Sequence, residues 1–192
     1  MKKFSPKEIL LPTIVLLVIC VVSAALLGGT DMLTKDKIAS IEAEIKAQAM
    51  QKVMADADSF SDAIVVDEKL EYSVALDKDG KKLGYAFTVS DSGYGGEISI
   101  MVGIGTDGKV SKVEVIAADN ETPGLGQNIK KSTFLDQFTG KNREQTVVKG
   151  AAGDNEIQAI TSATISSSAV TRTVNAAIEY YNENLAGGEN NG

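Results

Sequence analysis

The sequence has 192 residues, which is enough for one domain with appended segments. Its net charge of −7 argues against a nucleic-acid partner, because nucleic acids bind surfaces rich in lysine and arginine. The chain has no histidine and a single cysteine, which excludes a zinc site, an iron–sulfur cluster, a histidine-ligated haem and a Ser-His-Asp triad. We therefore predict no metal site, and any redox chemistry has to come from a cofactor that needs none of these ligands.

The N-terminus combines a basic start with a long uncharged segment. Lys2, Lys3 and Lys7 lie within residues 1–8, and residues 9–30 contain no charged side chain. A helix of that length spans the ~30 Å hydrocarbon core of a bilayer. Because lysines precede the segment and acid-rich sequence follows it, we predict a single-pass anchor in the cell membrane, with a cytoplasmic N-terminus and the remaining chain outside. A cleaved signal peptide ending near residues 23–25 is the alternative.

Residues 31–60 are predicted to form a helix that follows the anchor. One side of this helix is mostly apolar, whereas the charged residues lie on its other sides. The apolar residues are Ile38, Ile41, Ile45, Ala49 and Val53. Because the polar side mixes both signs of charge, the pattern favours a helix docked against a domain over one lying on a lipid surface.

Residues 61–185 are predicted to form one domain. Alternating apolar residues indicate strands, and glycine-containing turns between them indicate two hairpins of an antiparallel sheet. The predicted strands are 71–76, 83–89, 97–104, 110–117 and 145–148, and the predicted helices are 130–138 and 167–184. Helices on either side of a strand meander give an α+β fold, an antiparallel sheet with flanking helices. Residues 186–192 are expected to be a polar tail.

The segment Thr161-Ser162-Ala163-Thr164 leads into the last predicted helix, in which apolar residues recur at helical spacing from Val170 onward. The unpaired N–H groups and the positive dipole end at a helix start favour a phosphate group. The small side chains of Ser162 and Ala163 let a ligand approach the backbone. An ordinary N-cap run of serine and threonine is the alternative interpretation.

Two glycine-rich segments interrupt the predicted strands. Gly93-Tyr94-Gly95-Gly96 predicts a loop that needs either positive φ angles or a close backbone approach, in which Tyr94 offers a ligand a flat face and a hydroxyl. Glu121-Thr122-Pro123-Gly124-Leu125-Gly126 contains a Pro-Gly turn, for which we expect type II geometry. Taken alone, each segment also fits a plain bend.

Together, these three segments resemble the FMN-binding domain family, which includes the G subunit of the Rnf complex and the C subunit of the sodium-pumping NADH:quinone reductase. Residues 161–164 are similar to the family's Ser/Thr-Gly-Ala-Thr flavinylation motif, and residues 93–96 to its Gly-Tyr-Gly-Gly segment. Residues 121–126 match its Glu-Thr-Pro-Gly-Leu-Gly signature letter for letter. The chain departs from the family pattern at Ser162 (usually glycine), at Gln158 (commonly acidic) and at Asp119 (often histidine). Its length and single anchor are most similar to those of the Rnf complex G subunit.

The resemblance implies that FMN is bound covalently, as a phosphoester on the hydroxyl of Thr164. The residues it implies at the phosphate end are Thr161, Ser162, Ala163 and Ile165. The residues it implies around the ring system are Tyr94, Thr122 and Leu125, with Glu121 either holding the loop or bonding a polar edge of the ring. Lys130, Lys131 and Arg172 are candidates for additional positive charge near the phosphate, and the sequence does not choose among them.

For function, the resemblance implies an electron-carrying subunit of a membrane complex that couples electron flow between ferredoxin and NAD⁺ to sodium or proton transport. The implied partners are the other subunits of that complex and a separate magnesium-dependent flavin transferase that consumes FAD. No nucleotide-reducing site is expected in the chain itself, because none of its glycine segments reads as a strand–GxGxxG–helix unit. Two alternatives remain open: a stand-alone exported flavoprotein that reduces a small acceptor, and a membrane-anchored binding or assembly module without flavin.

Overall fold

The computed structural model describes residues 6–186, which fall into two compact units with the boundary between Glu44 and Ile45. Helix α1, Pro6–Val53, passes through this boundary. By length and composition it is able to cross a membrane, with a mean hydropathy of 2.9 over its most apolar 18 residues. This helix is compatible with the anchor predicted from the sequence. Predictions that concern residues 1–5 and 187–192 fall outside the described residues.

An antiparallel sheet forms the centre of the second unit. Its strands are β1 (Ser59–Phe60), β2 (Ile64–Val65), β3 (Leu70–Leu76), β4 (Lys82–Ser92), β5 (Glu97–Gly105) and β6 (Val110–Ala117). The order across the sheet is β1, β3, β4, β5 and β6, and β2 pairs with β3 as well. The two predicted hairpins are β3–β4 and β5–β6, and their turns contain Gly80 and Gly108, each with a φ of 76°. A separate parallel pair joins β7 (Thr146–Val148) to β8 (Glu156–Gln158).

One face of the sheet packs large side chains against helix α3, Thr164–Tyr180. Phe87 of β4 is fully buried there, with ring centroids 5.6 Å from Tyr72 and 6.2 Å from Tyr180. Burial, together with the nearby hydroxyls of Tyr180 and Tyr85, raises the pKa of Tyr72 above its ordinary value. This aromatic cluster holds α3 over the centre of the sheet.

The opposite face packs against the last part of α1, and the side chains there are smaller. Val53 of α1 lies in a buried cluster with Met101 and several alanines. Ser111 Oγ donates a hydrogen bond of 2.6 Å to the Val53 carbonyl oxygen. Lys52 of α1 forms an ion pair of 2.5 Å with Glu114 of β6. The end of α1 is therefore part of the same folded unit as the sheet.

The structure confirms the α+β fold but corrects the end of the helix predicted over residues 31–60, because α1 ends at Val53. The Gln51 side chain donates hydrogen bonds to the carbonyl oxygens of Ala55 and Ala57, at 3.2 and 3.0 Å. Residues Ser59–Phe60 then pair with β3 instead of continuing the helix. Pairing with the sheet overrides local helix propensity here.

The single helix predicted over residues 130–138 is divided in the structure. Its parts are a 3₁₀ turn (Gly126–Lys130), the short helix α2 (Ser132–Leu135) and a second 3₁₀ turn (Asp136–Phe138). The break occurs at Lys131, whose φ of −79° and ψ of 137° are extended. The divided course buries Phe134 and Phe138 against the sheet.

Helix α3 begins at Thr164, three residues before the predicted start, and ends in a wider turn, Tyr181–Leu185. Residues 164–166, which precede the predicted helix, are helical as well. Ser167 satisfies its hydroxyl within the helix by donating to the Ala163 carbonyl oxygen at 2.9 Å. This places Thr164 at the first helical position.

Candidate functional site

A cleft of about 530 Å³ opens at the N-terminal end of α3, where the three segments singled out in the sequence meet. It is lined by Tyr94, Glu121, Thr122, Leu125, Gly126, Ser162, Ala163, Thr164, Ile165 and Ser166. All the predicted site residues except Thr161 belong to this set. Thr161 is exposed and lies outside the cleft lining.

The side chain of Glu121 links the three segments. It is only 2% exposed. Its Oε1 accepts hydrogen bonds from the backbone N–H groups of Tyr94 at 2.7 Å and Gly95 at 3.1 Å. Its Oε2 accepts a hydrogen bond of 2.7 Å from Ser166 Oγ. Since a buried carboxylate must be hydrogen-bonded, these contacts fix the loop 93–96 against the first turn of α3.

Glycines let the backbone come close to this carboxylate. A Cβ atom at Gly126 would lie 2.1 Å from Glu121 Oε2, and one at Gly93 would lie 2.3 Å from Oε1. A Cβ atom at Gly95 would lie 1.8 Å from the Asn120 carbonyl oxygen. Glycine at these positions is explained by the close approach that the sequence predicted.

The segment 121–126 contains the expected type II turn. Gly124 has a φ of 75°, and the Leu125 N–H donates to the Thr122 carbonyl oxygen at 3.2 Å. Asn128 Nδ2 adds a hydrogen bond of 2.7 Å to the Gly124 carbonyl oxygen. The turn presents Thr122 and Leu125 to the cleft while Glu121 points into the protein.

Helix α3 starts inside the cleft. Its N-cap residue is Ala163, which has no side-chain oxygen to cap the helix. The N–H groups of the first turn of a helix have no intrahelical partner, and they carry the positive end of the helix dipole. The start of α3, at Thr164, therefore suits an anion such as a phosphate group.

Ser162 gives the chain an unusual conformation just before this helix. Its φ is 64°, the only positive φ of a non-glycine residue within residues 6–186. Ser167 holds this turn, because its Oγ accepts the Ile160 N–H at 3.0 Å. Glycine adopts positive φ without the steric cost that serine meets, which explains why the family motif usually has glycine at this position.

The rim of the cleft is apolar. Tyr94, Leu125 and Ile165 are 69%, 43% and 54% exposed. Among the described residues, the other exposed large apolar side chains are confined to α1 and residues 64–66. An apolar rim beside an anion-binding helix start fits a ligand that combines a flat ring system with a phosphate, and FMN is such a ligand.

The basic residues considered for the phosphate lie elsewhere. Lys130, Lys131 and Arg172 are all outside the cleft lining. Arg172 is committed to Asp91, with Nε and Oδ2 2.6 Å apart, and Lys130 pairs with an Asp119 oxygen at 3.2 Å. In this arrangement, favourable charge for a phosphate comes from the start of α3 rather than from a basic side chain.

Sequence reasoning missed Ser166, which lines the cleft and bonds to Glu121. The signal was weak, because Ser166 lies in a run of three serines that was interpreted as a helix cap.

Within residues 6–186, no group of three His, Cys, Asp or Glu side chains is arranged to hold a metal ion.

A solved structure shares the fold. The C subunit of the Na⁺-translocating NADH-quinone reductase from Parabacteroides distasonis superposes with a TM-score of 0.54 and 17% sequence identity. The superposition covers 76% of this chain and 94% of that structure. At this level of identity the likeness concerns the fold alone.

The sequence comparisons are more specific. Residues 93–179 match the FMN-binding domain, and residues 1–53 match the RnfG N-terminal region. The G subunit of the Na⁺-translocating ferredoxin:NAD⁺ oxidoreductase complex of Acetobacterium woodii is 37% identical over 191 residues, covering 90% of this chain and 91% of the relative. The G subunit of the proton-translocating complex of Clostridium ljungdahlii is 35% identical over 165 residues, covering 85% and 86%. The chain therefore belongs to the family of Rnf complex G subunits and carries an FMN-binding domain, as the resemblance of its motifs implied.

Proposed function

We propose that this protein is an electron-carrying subunit of an ion-translocating ferredoxin:NAD⁺ oxidoreductase complex, and that it holds FMN covalently on Thr164. The observation that carries the proposal is the position of Thr164, which is the first residue of α3 and lines the cleft beside uncapped backbone N–H groups. The similarity to two Rnf complex G subunits, which extends over most of the chain, supports membership in such a complex.

The cleft residues divide into two groups in this proposal. The N–H groups at the start of α3 and the Ser162 hydroxyl would bind the phosphate, and Thr164 would be esterified to it. Tyr94, Thr122 and Leu125 would bind the ring system, with Ile165 closing the apolar rim. Bound FMN supplies the ability to accept and pass on electrons singly or in pairs. The protein holds and orients the cofactor and provides no catalytic side chain.

Attachment would be carried out by a separate flavin transferase that uses FAD. The Thr164 hydroxyl oxygen would form a bond to the FMN phosphorus of FAD, the bond to AMP would break, and the hydroxyl proton would be lost. This step involves no oxidation or reduction. A phosphoester suits a cofactor outside the cell membrane, because FMN that dissociated there would be lost.

We propose the topology that follows from the sequence. Residues 1–8 would be cytoplasmic, residues 9–30 would span the membrane, and the domain from residue 61 to residue 185 would lie outside. The test is labelling of intact cells with a membrane-impermeant maleimide, using Gly150→Cys in a Cys20→Ser background. Labelling of the cysteine in intact cells is expected. If the cysteine is labelled only after the cells are broken, the orientation is opposite to the proposed one.

The decisive experiment compares two threonine variants produced together with a flavin transferase. Thr164→Val is expected to abolish in-gel flavin fluorescence and the mass increment of one phosphate-linked FMN, while the protein still reaches the membrane. Thr161→Val is the matched control, because Thr161 lies in the same segment but outside the cleft lining, and it should keep both signals. Covalent flavin on Thr164→Val, or its absence from the unsubstituted protein, would reject the proposal.

A further inference from the structure

We propose that the buried negative charge of Glu121 makes the bound FMN harder to reduce. This inference rests on the proposed function, since it concerns the cofactor in the same cleft. The inference goes beyond that function because it concerns how readily bound FMN is reduced. The position of Thr164 does not determine this equilibrium.

The geometry separates Glu121 from the residues of the rim. Tyr94 and Leu125 are exposed at the cleft, whereas Glu121 lies beneath them and is 2% exposed. Both of its carboxylate oxygens are already occupied, by two backbone N–H groups and by Ser166 Oγ. A group with this set of partners acts through the segments it holds and through its charge, rather than by a hydrogen bond to the ring.

Among the side chains that the structure describes, no cationic group forms an ion pair with Glu121 to balance its charge. Its hydrogen-bond partners are neutral donors, which stabilise a carboxylate without cancelling its net charge. Because the group is shielded from water, its field at the cleft is weakly screened. Reduction adds electrons to FMN, so a fixed negative charge nearby opposes it.

The substitution Glu121→Gln removes the charge and keeps the shape. The glutamine Oε1 is able to accept the same N–H groups of Tyr94 and Gly95, and its Nε2 is able to donate to Ser166 Oγ. In flavinylated protein we expect the equilibrium constant for two-electron reduction to rise about tenfold or more, a potential shift of about 30 mV or more. A titration against redox dyes of known potential, followed by flavin absorbance, measures this constant.

Two variants separate charge from position. Asp119→Asn removes a charge two residues away whose side chain is 88% exposed, and the constant should stay within about threefold because water screens it. Ser166→Ala removes one hydrogen bond to Glu121 but keeps the carboxylate, and the constant should rise clearly less than in Glu121→Gln. A tenfold rise in Ser166→Ala would assign the effect to lost positioning and overturn the proposal.

The melting temperature of each unflavinylated variant shows first that it folds. If Glu121→Gln does not fold, Ser166→Ala still tests the inference. An unchanged constant in folded, flavinylated Glu121→Gln would overturn the role of the charge and leave the proposed function intact. Absence of FMN from the unsubstituted protein would instead reject the proposed function.

Discussion

The two faces of the sheet are packed in opposite ways. The face under α3 carries aromatic and branched side chains, whereas the face against the end of α1 carries alanine, glycine and methionine. The face under α3 includes Tyr85, Phe87, Ile100, Val102 and Ile104, and the other face includes Ala75, Gly84, Ala86, Gly103 and one long side chain, Met101. Because neighbouring residues of a strand point to opposite faces, the same strands supply both sets.

This difference shows how one sheet holds two helices, α3 on one face and the end of α1 on the other. Under α3, bulky side chains fix the position of a helix whose first turn forms the cleft. On the other face, Gly103 lets the backbone of α1 approach the sheet closely. The carbonyl oxygen of Val53 therefore comes within reach of Ser111 Oγ, which donates a hydrogen bond to it. The cofactor cleft and the end of α1 thus lie on opposite sides of β4 and β5, and substitutions should affect them by different physical mechanisms.

The largest effect is expected on the α3 face. Phe87→Ala should lower the free energy of unfolding by about 3–5 kcal/mol, because it leaves a cavity within the aromatic cluster. Urea titration of the full chain in detergent measures the loss as a shift of the midpoint at constant slope. Phe87→Leu is the control and should cost clearly less, because it leaves a smaller cavity. A loss below about 1 kcal/mol for Phe87→Ala would contradict the assignment of this face as the main core.

A smaller loss, by overpacking rather than by a cavity, is expected on the α1 face. The Cβ atom of Gly103→Ala would lie 2.4 Å from Ser111 Oγ and 2.5 Å from the Val53 carbonyl oxygen. Moving the end of α1 away from the sheet should cost about 1–3 kcal/mol of unfolding free energy. Gly150→Ala is the matched control, because no heavy atom lies within 4 Å of its Cβ position. Equal midpoints for the two variants would show that the close approach is not needed.

The sheet was the part of the fold best predicted from the sequence. Strands β3 to β6 lie within three residues of their predicted bounds, because alternation and glycine turns are local signals. β1, β2 and β8 were not predicted. Each has only two or three residues, too few to show an alternating pattern, and each is defined by its hydrogen bonds to a partner strand.

In the site, too, the features set by local sequence were predicted, and the features set by tertiary contacts were not. The motifs identified which segments would form the cleft, and the type II turn at Gly124 followed from its own residues. The bonds from Tyr94 and Ser166 to Glu121 connect residues 27 and 45 positions apart, and no local pattern predicts them. The exposure of Thr161 likewise depends on where α3 starts, which propensity placed three residues too late.

The smallest effect is expected at Ser162, and it should have the opposite sign. Serine at a φ of 64° is strained by about 1–2 kcal/mol, whereas glycine is not. Because glycine also makes the unfolded chain more flexible, Ser162→Gly should stabilise the protein by only about 0.5–1 kcal/mol. Ser168→Gly, four residues into the regular part of α3, is the matched control and should destabilise it by about 0.5 kcal/mol. Urea midpoints of the two variants that move in the same direction would show that the turn before Thr164 is unstrained.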